Sequence, residues 1–271
     1  MATSKLERKE VKFLADYNIQ AVQRALSVLK VFLNNNSEEM SLTEISAQIG
    51  LTKSTTLRLL TTLQNEDFIA YDSDRKKYSL GIMLVRLGMA KYEKMDWRDI
   101  AIRHLQILAS NTGLICYLSV RERYNIVYLA KIFPKQVPTW AQLMVQSGAA
   151  SPLYSTGMGR LFLSHFSDEK LNEYLQQVPR SKITERTIVE EEELRKELLE
   201  IRETGIAIND CENEDFISSI CAPLLNKKGE MVAAFSVAGM REMVLGERKE
   251  LLLAEARRVA REITAEIMPY V

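Results

Sequence analysis

Apolar residues recur every three or four positions near the start of the chain and predict a helix over residues 19–33. The Asn- and Ser-rich residues 34–37 predict its end, because these residue types favour turns. Residues 1–18 are polar and of mixed charge, and we interpret them as an N-terminal arm that precedes the first folded element.

Two short helices are predicted next. Ser41 and Glu44 have the spacing of a capping box, in which each side chain accepts a hydrogen bond from the other residue's backbone, so a helix begins after Ser41. Gly50 predicts its end, and Thr52 is placed to cap a second helix. Two short helices joined by a tight turn are typical of a helix-turn-helix, although a generic helical hairpin shows the same pattern.

The segment that follows favours the first interpretation. Residues 68–71 and 78–80 alternate as short strands, and the polar turn between them ends in Arg75, Lys76 and Lys77. Helix, turn, helix and basic hairpin is the order of a winged helix. Residues 19–80 are therefore predicted to form a winged helix-turn-helix DNA-binding domain.

The rest of the chain predicts a linker helix over residues 81–95 and an α+β domain over 96–271, with an antiparallel sheet flanked by helices. Its predicted helices cover residues 100–109, 158–166, 168–177, 190–204 and 246–267. Its predicted strands cover residues 114–120, 124–133, 205–209, 217–225 and 231–237. An irregular segment at 134–157 separates the first two strands from the following helix.

Composition narrows the class of protein. Charged residues make up 27% and hydrophobic residues 46%, which is typical of a folded globular chain. No run of about 20 apolar residues predicts a membrane span, and no signal peptide precedes the first helix, so we expect a cytoplasmic protein. Three widely spaced cysteines and two histidines predict no disulfide, metal site or cofactor. The net charge is zero, so DNA binding depends on where the cations lie.

The start of the second helix carries side chains suited to DNA. Hydroxyl groups bond bases or phosphates, and Lys and Arg bond guanine, although a polar helix face can also be merely solvated. The predicted contacts here are Thr52, Lys53, Ser54, Thr55, Thr56 and Arg58. The turn cations Arg75, Lys76 and Lys77 are predicted to contact backbone phosphates, with an effect that depends on salt.

Several motifs, in the right order, resemble the IclR family of bacterial transcription regulators. They lie at residues 20–29, 51–60, 78–81, 87–88, 155–161, 205–223 and 233–239. The resemblance covers about residues 19–269. It implies a winged helix, a linker helix and a GAF-like α+β effector domain. It also implies homodimers that pair into dimers of dimers on a double-stranded DNA operator, and a small organic, sugar-derived or aromatic acid as the effector.

The resemblance also implies an effector site. It consists of backbone amides at Gly157 and Met158 and side chains at Asp210, Ser219 and Ser236. Glycines let N–H groups turn toward an anion, although the same residues are compatible with an ordinary helix start and with sheet hydroxyls. Five further residues either line this pocket or belong to the core or a dimer contact: Tyr117, Tyr128, Trp140, Leu143 and Met144.

Five positions depart from the family pattern. Arg160 stands where lysine is usual, and Phe216 stands where glycine is usual. Ser219 stands where cysteine is frequent, Ala238 where a second polar residue is common, and Asn209 replaces one of a frequent acidic pair. A ring at 216 is expected to narrow or fill the cavity, which would favour a larger ligand or a regulator that responds to none.

Catalysis is not predicted. The chain has no Gly-x-Ser-x-Gly nucleophile elbow, no Walker A motif and no dinucleotide fingerprint. The leading hypothesis is a DNA-binding regulator controlled by a small molecule. The alternative is a winged-helix regulator controlled by a protein partner or working without a ligand.

Overall fold

The computed structural model describes residues 18–33, 38–139, 141 and 144–271. The chain divides into two compact units, one ending at Lys94 and the other beginning at Met95. The predicted arm, up to residue 17, and the turn at 34–37 lie outside the described residues, as do Trp140 and Leu143.

The first unit contains helices and one β-hairpin. In chain order its elements are α1 (Gln20–Val31), α2 (Leu42–Ile49), α3 (Lys53–Asn65), β1 (Ile69–Asp72), β2 (Lys77–Leu80) and α4 (Ile82–Tyr92). β1 and β2 pair antiparallel, and the small core contains Val28, Ile45 and Leu60, one from each of the first three helices. The predicted winged helix is confirmed.

Local side-chain chemistry sets the helix ends of this unit. The Ser41 Oγ accepts the N–H of Glu44 at 3.3 Å, and the Glu44 carboxylate accepts the N–H of Ser41 at 2.7 Å. Gly50 ends α2 with a φ of +67°, a conformation that glycine adopts without strain. Thr52 then caps α3 by accepting the N–H of Thr55 at 3.3 Å. These contacts fix the turn between α2 and α3.

The second unit is an α+β domain. Its elements are α5 (Asp96–Thr112), β3 (Ile115–Glu122), β4 (Asn125–Ile132), β5 (Ala150–Pro152), α6 (Gly157–Ser164), α7 (Asp168–Gln177), α8 (Glu191–Thr204), β6 (Ala207–Asp210), β7 (Ile217–Leu225), β8 (Met231–Met240), α9 (Arg241–Leu245) and α10 (Lys249–Ile267), followed by a 3₁₀ turn at Met268–Tyr270. The strands form one antiparallel sheet in the order β5-β4-β3-β8-β7-β6. The predicted α+β class is confirmed.

Alternate residues of the sheet enter two separate cores, because side chains along a strand point to opposite faces. On β3, Cys116 and Leu118 pack with the core that contains α5 and α10. Ile115 and Tyr117 face the other core, which α6, α7 and α8 cover. Helices therefore cover both faces of the sheet.

Several predicted boundaries were wrong. The closing helix begins at residue 249 rather than 246, because the separate short helix α9 precedes it. α5 extends beyond 100–109 at both ends: Asp96 and Asp99 supply negative charge to its first turn, and Gly113 ends it with a φ of +71°. The segment predicted as irregular contains the edge strand β5, which pairs with β4.

Candidate DNA interface and effector cavity

The start of α3 presents a cluster of polar side chains to solvent. Thr52, Lys53, Ser54 and Arg58 are exposed and Thr55 is half-buried. The Thr52 hydroxyl donates to Thr55 Oγ1 at 3.0 Å and lies 3.1 Å from Ser54 Oγ. These hydroxyls support one another in the position that a recognition helix presents to the major groove.

Thr56 does not belong to this surface. Its side chain is fully buried, and its hydroxyl donates to the backbone oxygen of Thr52 at 3.0 Å. The prediction that Thr56 contacts DNA was therefore wrong, because the side chain one turn from the cap faces the core.

The three wing cations differ in their surroundings. Arg75 Nη1 lies 3.0 Å from both carboxylate oxygens of Glu39, and Lys77 Nζ lies 3.0 Å from Glu44. Lys76 is exposed, with a φ of +54°, and makes no ion pair within the described part of the chain. Of the three, Lys76 has the charge most available to a phosphate.

The second unit contains a cavity between the sheet and the start of α6. It measures about 420 Å³, including the part open to solvent. It lies where β3, β8 and β7 run side by side, so Ser236 pairs with Tyr117 on one side and with Cys221 on the other. The lining residues are Tyr117, Tyr128, Met144, Val145, Thr156, Gly157, Met158, Asn209, Asn213, Glu214, Ile217, Ser219, Cys221, Ser236 and Ala238.

Four of the five predicted effector-site residues come together here. Gly157, Met158, Ser219 and Ser236 all line the cavity, although they lie on three different elements. Three of the further candidates, Tyr117, Tyr128 and Met144, line it too. Sequence-distant residues thus form one site.

Asp210 does not line the cavity, so that prediction was wrong. Its carboxylate accepts hydrogen bonds from Arg241 Nε at 2.6 Å and from Arg186 Nη1 at 2.7 Å. Because side chains alternate along β6, it is the preceding residue, Asn209, that faces the cavity. Arg241 and Arg186 hold the pKa of Asp210 below its ordinary value, with the hydrogen bonds from Arg241 the largest cause.

Phe216 also lies outside the cavity. Its side chain is 73% exposed, and its backbone has a φ of +67°, which accounts for glycine being the usual residue in the family pattern. The expectation that this ring narrows or fills the cavity was wrong.

The glycine at the start of α6 permits a close approach to the sheet. A Cβ added at Gly157 would lie 2.7 Å from the Cys221 Sγ. Burial raises the pKa of the Cys221 thiol to about 12, so the thiol stays neutral.

Glu214 is a cavity residue that the sequence analysis did not identify. It lies in the loop between β6 and β7, a segment without helical or strand periodicity that would show which way a side chain points. Burial raises the pKa of its carboxyl, while the N–H of Val145 and the charge of Lys131 act in the opposite direction. Asn213 from the same loop also lines the cavity.

A buried ion pair fixes that loop to α6. Arg160 is fully buried, and its guanidinium makes two hydrogen bonds to the Glu212 carboxylate, one of them with Nη2 2.8 Å from Oε1. Arg160 Nη2 also donates to the carbonyl oxygen of Ile208 at 2.6 Å. Arg160, which stands where lysine is usual in the family, thus connects α6 to the loop that carries Glu214.

The described residues contain no group of three or more His, Cys, Asp or Glu side chains placed to hold a metal ion. Among them, no helix is long and apolar enough to cross a bilayer.

A winged helix on one unit and a cavity on the other are together the parts of a DNA-binding transcription regulator.

Comparison with known proteins identifies the family. The IclR helix-turn-helix domain model matches residues 21–73, and the model of the bacterial transcriptional regulator IclR C-terminal domain matches residues 89–265. The chain belongs to the IclR family of bacterial transcriptional regulators, which are not enzymes.

Individual relatives resemble this chain over most of their own length. The HTH-type transcriptional regulator XynR of Escherichia coli is 31% identical over 83% of this chain and 88% of its own. The crystal structure of an IclR-type regulator from Alicyclobacillus acidocaldarius is 29% identical, with a TM-score of 0.80 over 92% of this chain and 99% of its own. An IclR homologue from Microbacterium hydrocarbonoxydans, solved in complex with 4-hydroxybenzoate, shares the fold with a TM-score of 0.79 at 19% identity, over 92% of this chain and 99% of its own.

Proposed function

We propose that a small-molecule effector bound in the cavity controls how this regulator binds a double-stranded DNA operator in the cytoplasm. The observation that carries the proposal is the convergence of Gly157, Met158, Ser219 and Ser236 on one cavity. A concave site lined by apolar groups and a few polar ones is typical of small-molecule sites. The Microbacterium homologue, which holds 4-hydroxybenzoate, supports the ability of this fold to bind such a molecule.

The DNA contacts follow from the exposed part of α3. Its first turn places Lys53, Ser54 and Thr55 at the positive end of the helix dipole, which favours phosphate, while Arg58 lies one turn further on. The proposed contacts are Thr52, Lys53, Ser54, Thr55, Arg58, Arg75, Lys76 and Lys77. The first five would read bases or fix register, and the wing cations would contact phosphates.

We propose that the regulator is a homodimer, and that α4 is covered by a second copy of the chain. No residue of α4 is buried, and its apolar side chains Ile82, Val85, Leu87 and Met89 are each more than half exposed. A helix with so many exposed apolar residues is typical of an interface. Effector binding would change how two effector domains pack and so alter the spacing of the paired winged helices, which half-sites on DNA read strictly.

The alternative of control by a protein partner depended on Phe216 closing the cavity. Because Phe216 lies in solvent outside the cavity, that observation no longer favours it.

The test is a thermal-shift screen of the full chain against organic, sugar-derived and aromatic acids and their neutral analogues, followed by DNA binding with and without each hit. A ligand that saturates the site stabilises the folded state, so the melting temperature should rise. Ser236→Ala should abolish the shift, whereas Ser218→Ala, in the same sheet but outside the cavity, should keep it. A hit that leaves operator affinity and quaternary structure unchanged would refute effector control.

A further inference from the structure

The charge of the cavity lining is unusual for a site expected to hold an acid. Among the described residues that line it, Glu214 carries the one formal charge, and Lys, Arg and His are absent. A ligand carboxylate would enter beside a like charge and without a cation to pair with. Burying a charge under those conditions is costly.

The cavity does not require a cationic ligand either. The ammonium of Lys131 attracts the Glu214 carboxylate from outside the lining and partly balances its charge. Lys131 is itself held in place, since its Nζ donates to the carbonyl oxygens of Ala141 at 2.7 Å and Met144 at 3.0 Å. The cavity and its support are therefore close to neutral without a ligand charge.

One backbone donor at the start of α6 is already engaged, because the N–H of Gly159 donates to Thr156 Oγ1 at 3.0 Å.

The polar groups that remain available are suited to hydroxyls. Within the described residues, the Ser236 hydroxyl has no hydrogen-bond partner, and Ser219 Oγ contacts only the sulfur of Cys221, at 3.4 Å. Asn213 uses its oxygen to accept from Ser155, which leaves its amide N–H groups. The carboxylate of Glu214, which also lines the cavity, can accept hydrogen bonds. Hydroxyl groups can both donate to the carboxylate and accept from the amide.

Aromatic rings complete the wall. Tyr117 and Tyr128 both line the cavity. The phenol of Tyr117 donates to the carbonyl oxygen of Val145 at 3.0 Å. The two rings lie edge to face with their centroids 5.2 Å apart. They offer apolar surface to the carbon skeleton of a ligand while Glu214, Asn213 and the serines meet its hydroxyls.

We infer that the effector is a small neutral polyhydroxylated molecule, a sugar or sugar alcohol rather than a free acid, and that Glu214 is the residue that selects for it. The inference rests on the proposed function, because it concerns the ligand of the same cavity.

The experiment measures direct binding to the full chain, without DNA, by isothermal titration at neutral pH. The probes are size-matched sets of three-, five- and six-carbon compounds: the neutral sugar or polyol, the corresponding aldonic acid, and an amino sugar. Neutral members should bind, and the acids should bind at least about tenfold more weakly, a difference of ~1.4 kcal/mol.

Glu214→Gln should weaken the binding of the neutral ligand by about tenfold and reduce the difference in affinity between the neutral ligand and the acid. The reason is that the substitution removes one acceptor oxygen and the negative charge. Asp215→Asn is the matched control, since it removes the same charge from the next residue, which is exposed and does not line the cavity. It should leave both affinities unchanged. The melting temperature of each variant without ligand shows that it is folded.

The outcomes separate the two proposals. If the acids or the amino sugars bind as tightly as the neutral compounds or more tightly, the inference is overturned while effector control stands. If none of the probes binds, the inference fails, and effector control is weakened only when the wider ligand screen is also negative. An equal loss of binding in Glu214→Gln and Asp215→Asn would overturn the role of Glu214.

Discussion

The proposed DNA-contact surface and the proposed effector cavity are stabilised by ion pairs in opposite environments. On the wing, the ion pair between Arg75 and Glu39 lies in solvent, with side chains 67% and 37% exposed. Beside the cavity, Arg160 is fully buried against Glu212, whose side chain is 8% exposed. Water screens the first pair and replaces it when it is broken, whereas a partner left behind in the second becomes a buried, unpaired charge. Substitutions of charged residues on the wing should therefore destabilise the protein less than substitutions in the cavity wall.

The largest effect is expected from Arg160→Met. The substitution keeps apolar bulk but leaves Glu212 buried without its cation, which should cost about 3–5 kcal/mol in the free energy of unfolding. Arg75→Met, the surface control, should change stability little. Denaturant unfolding of both variants checks this, and comparable losses at the two sites would contradict the comparison. Adding Glu212→Gln to Arg160→Met should recover part of the loss.

A second contrast concerns two glycines. A Cβ at Gly159, in α6, would lie 2.3 Å from the carbonyl oxygen of Leu153, so Gly159→Ala forces backbone to move and should cost about 1–3 kcal/mol. At Gly88, in α4, nothing lies within 4 Å, and alanine should stabilise the helix by up to about 1 kcal/mol. The midpoints of denaturant unfolding should move in opposite directions, and a shared direction would contradict the packing described for α6.

The fold could be predicted well wherever its signals are local. The capping box at Ser41, the stop at Gly50 and the cap at Thr52 each act within one helical turn, and the structure contains all three. The strand β5 and the break before α10 could not be predicted. A three-residue edge strand exists only because β4 offers it a partner, which is a tertiary contact.

The cavity could be predicted only in part, for a related reason. The family resemblance supplied Gly157, Met158, Ser219 and Ser236, but at β6 it supplied Asp210 where Asn209 faces the cavity. Neighbouring residues on a strand point to opposite faces of the sheet, so an error of one residue places the side chain on the wrong face. Glu214 lies in a loop, where no periodicity shows which way a side chain points.

A smaller effect should separate neighbouring wing cations. Lys76 makes no ion pair among the described residues, whereas Lys77 lies 3.0 Å from Glu44. If Lys76 contacts a phosphate, Lys76→Gln should reduce the salt dependence of DNA binding by about 0.9 in the slope of log K against log salt. Lys77→Gln should reduce it less. Titration of a random-sequence duplex at several salt concentrations measures both slopes, and a larger change for Lys77→Gln would reverse the assignment.

The smallest effect concerns acid stability of the winged helix. The side-chain hydrogen bond from Ser41, followed by the backbone bond from Ser41 and the bond from Lys77, lowers the pKa of Glu44 from its ordinary value of 4.5 to about 2. A lowered pKa in the folded state stabilises the fold above the ordinary value, and that contribution is lost as the pH falls from about 4.5 toward about 2. Glu44→Gln should therefore flatten the acid limb of thermal stability in this window, which melting temperatures measured across the window would show.

The capping box also gives a direct readout of that titration. The Ser41 N–H donates to the Glu44 carboxylate at 2.7 Å, so its amide chemical shift should follow protonation of Glu44 with a midpoint near pH 2. A midpoint near 4.5 would mean that the bonds from Ser41 and Lys77 do not persist in solution. The turn that aims α3 would then be held by Gly50 and Thr52 alone, and Lys77 would be as available to phosphate as Lys76.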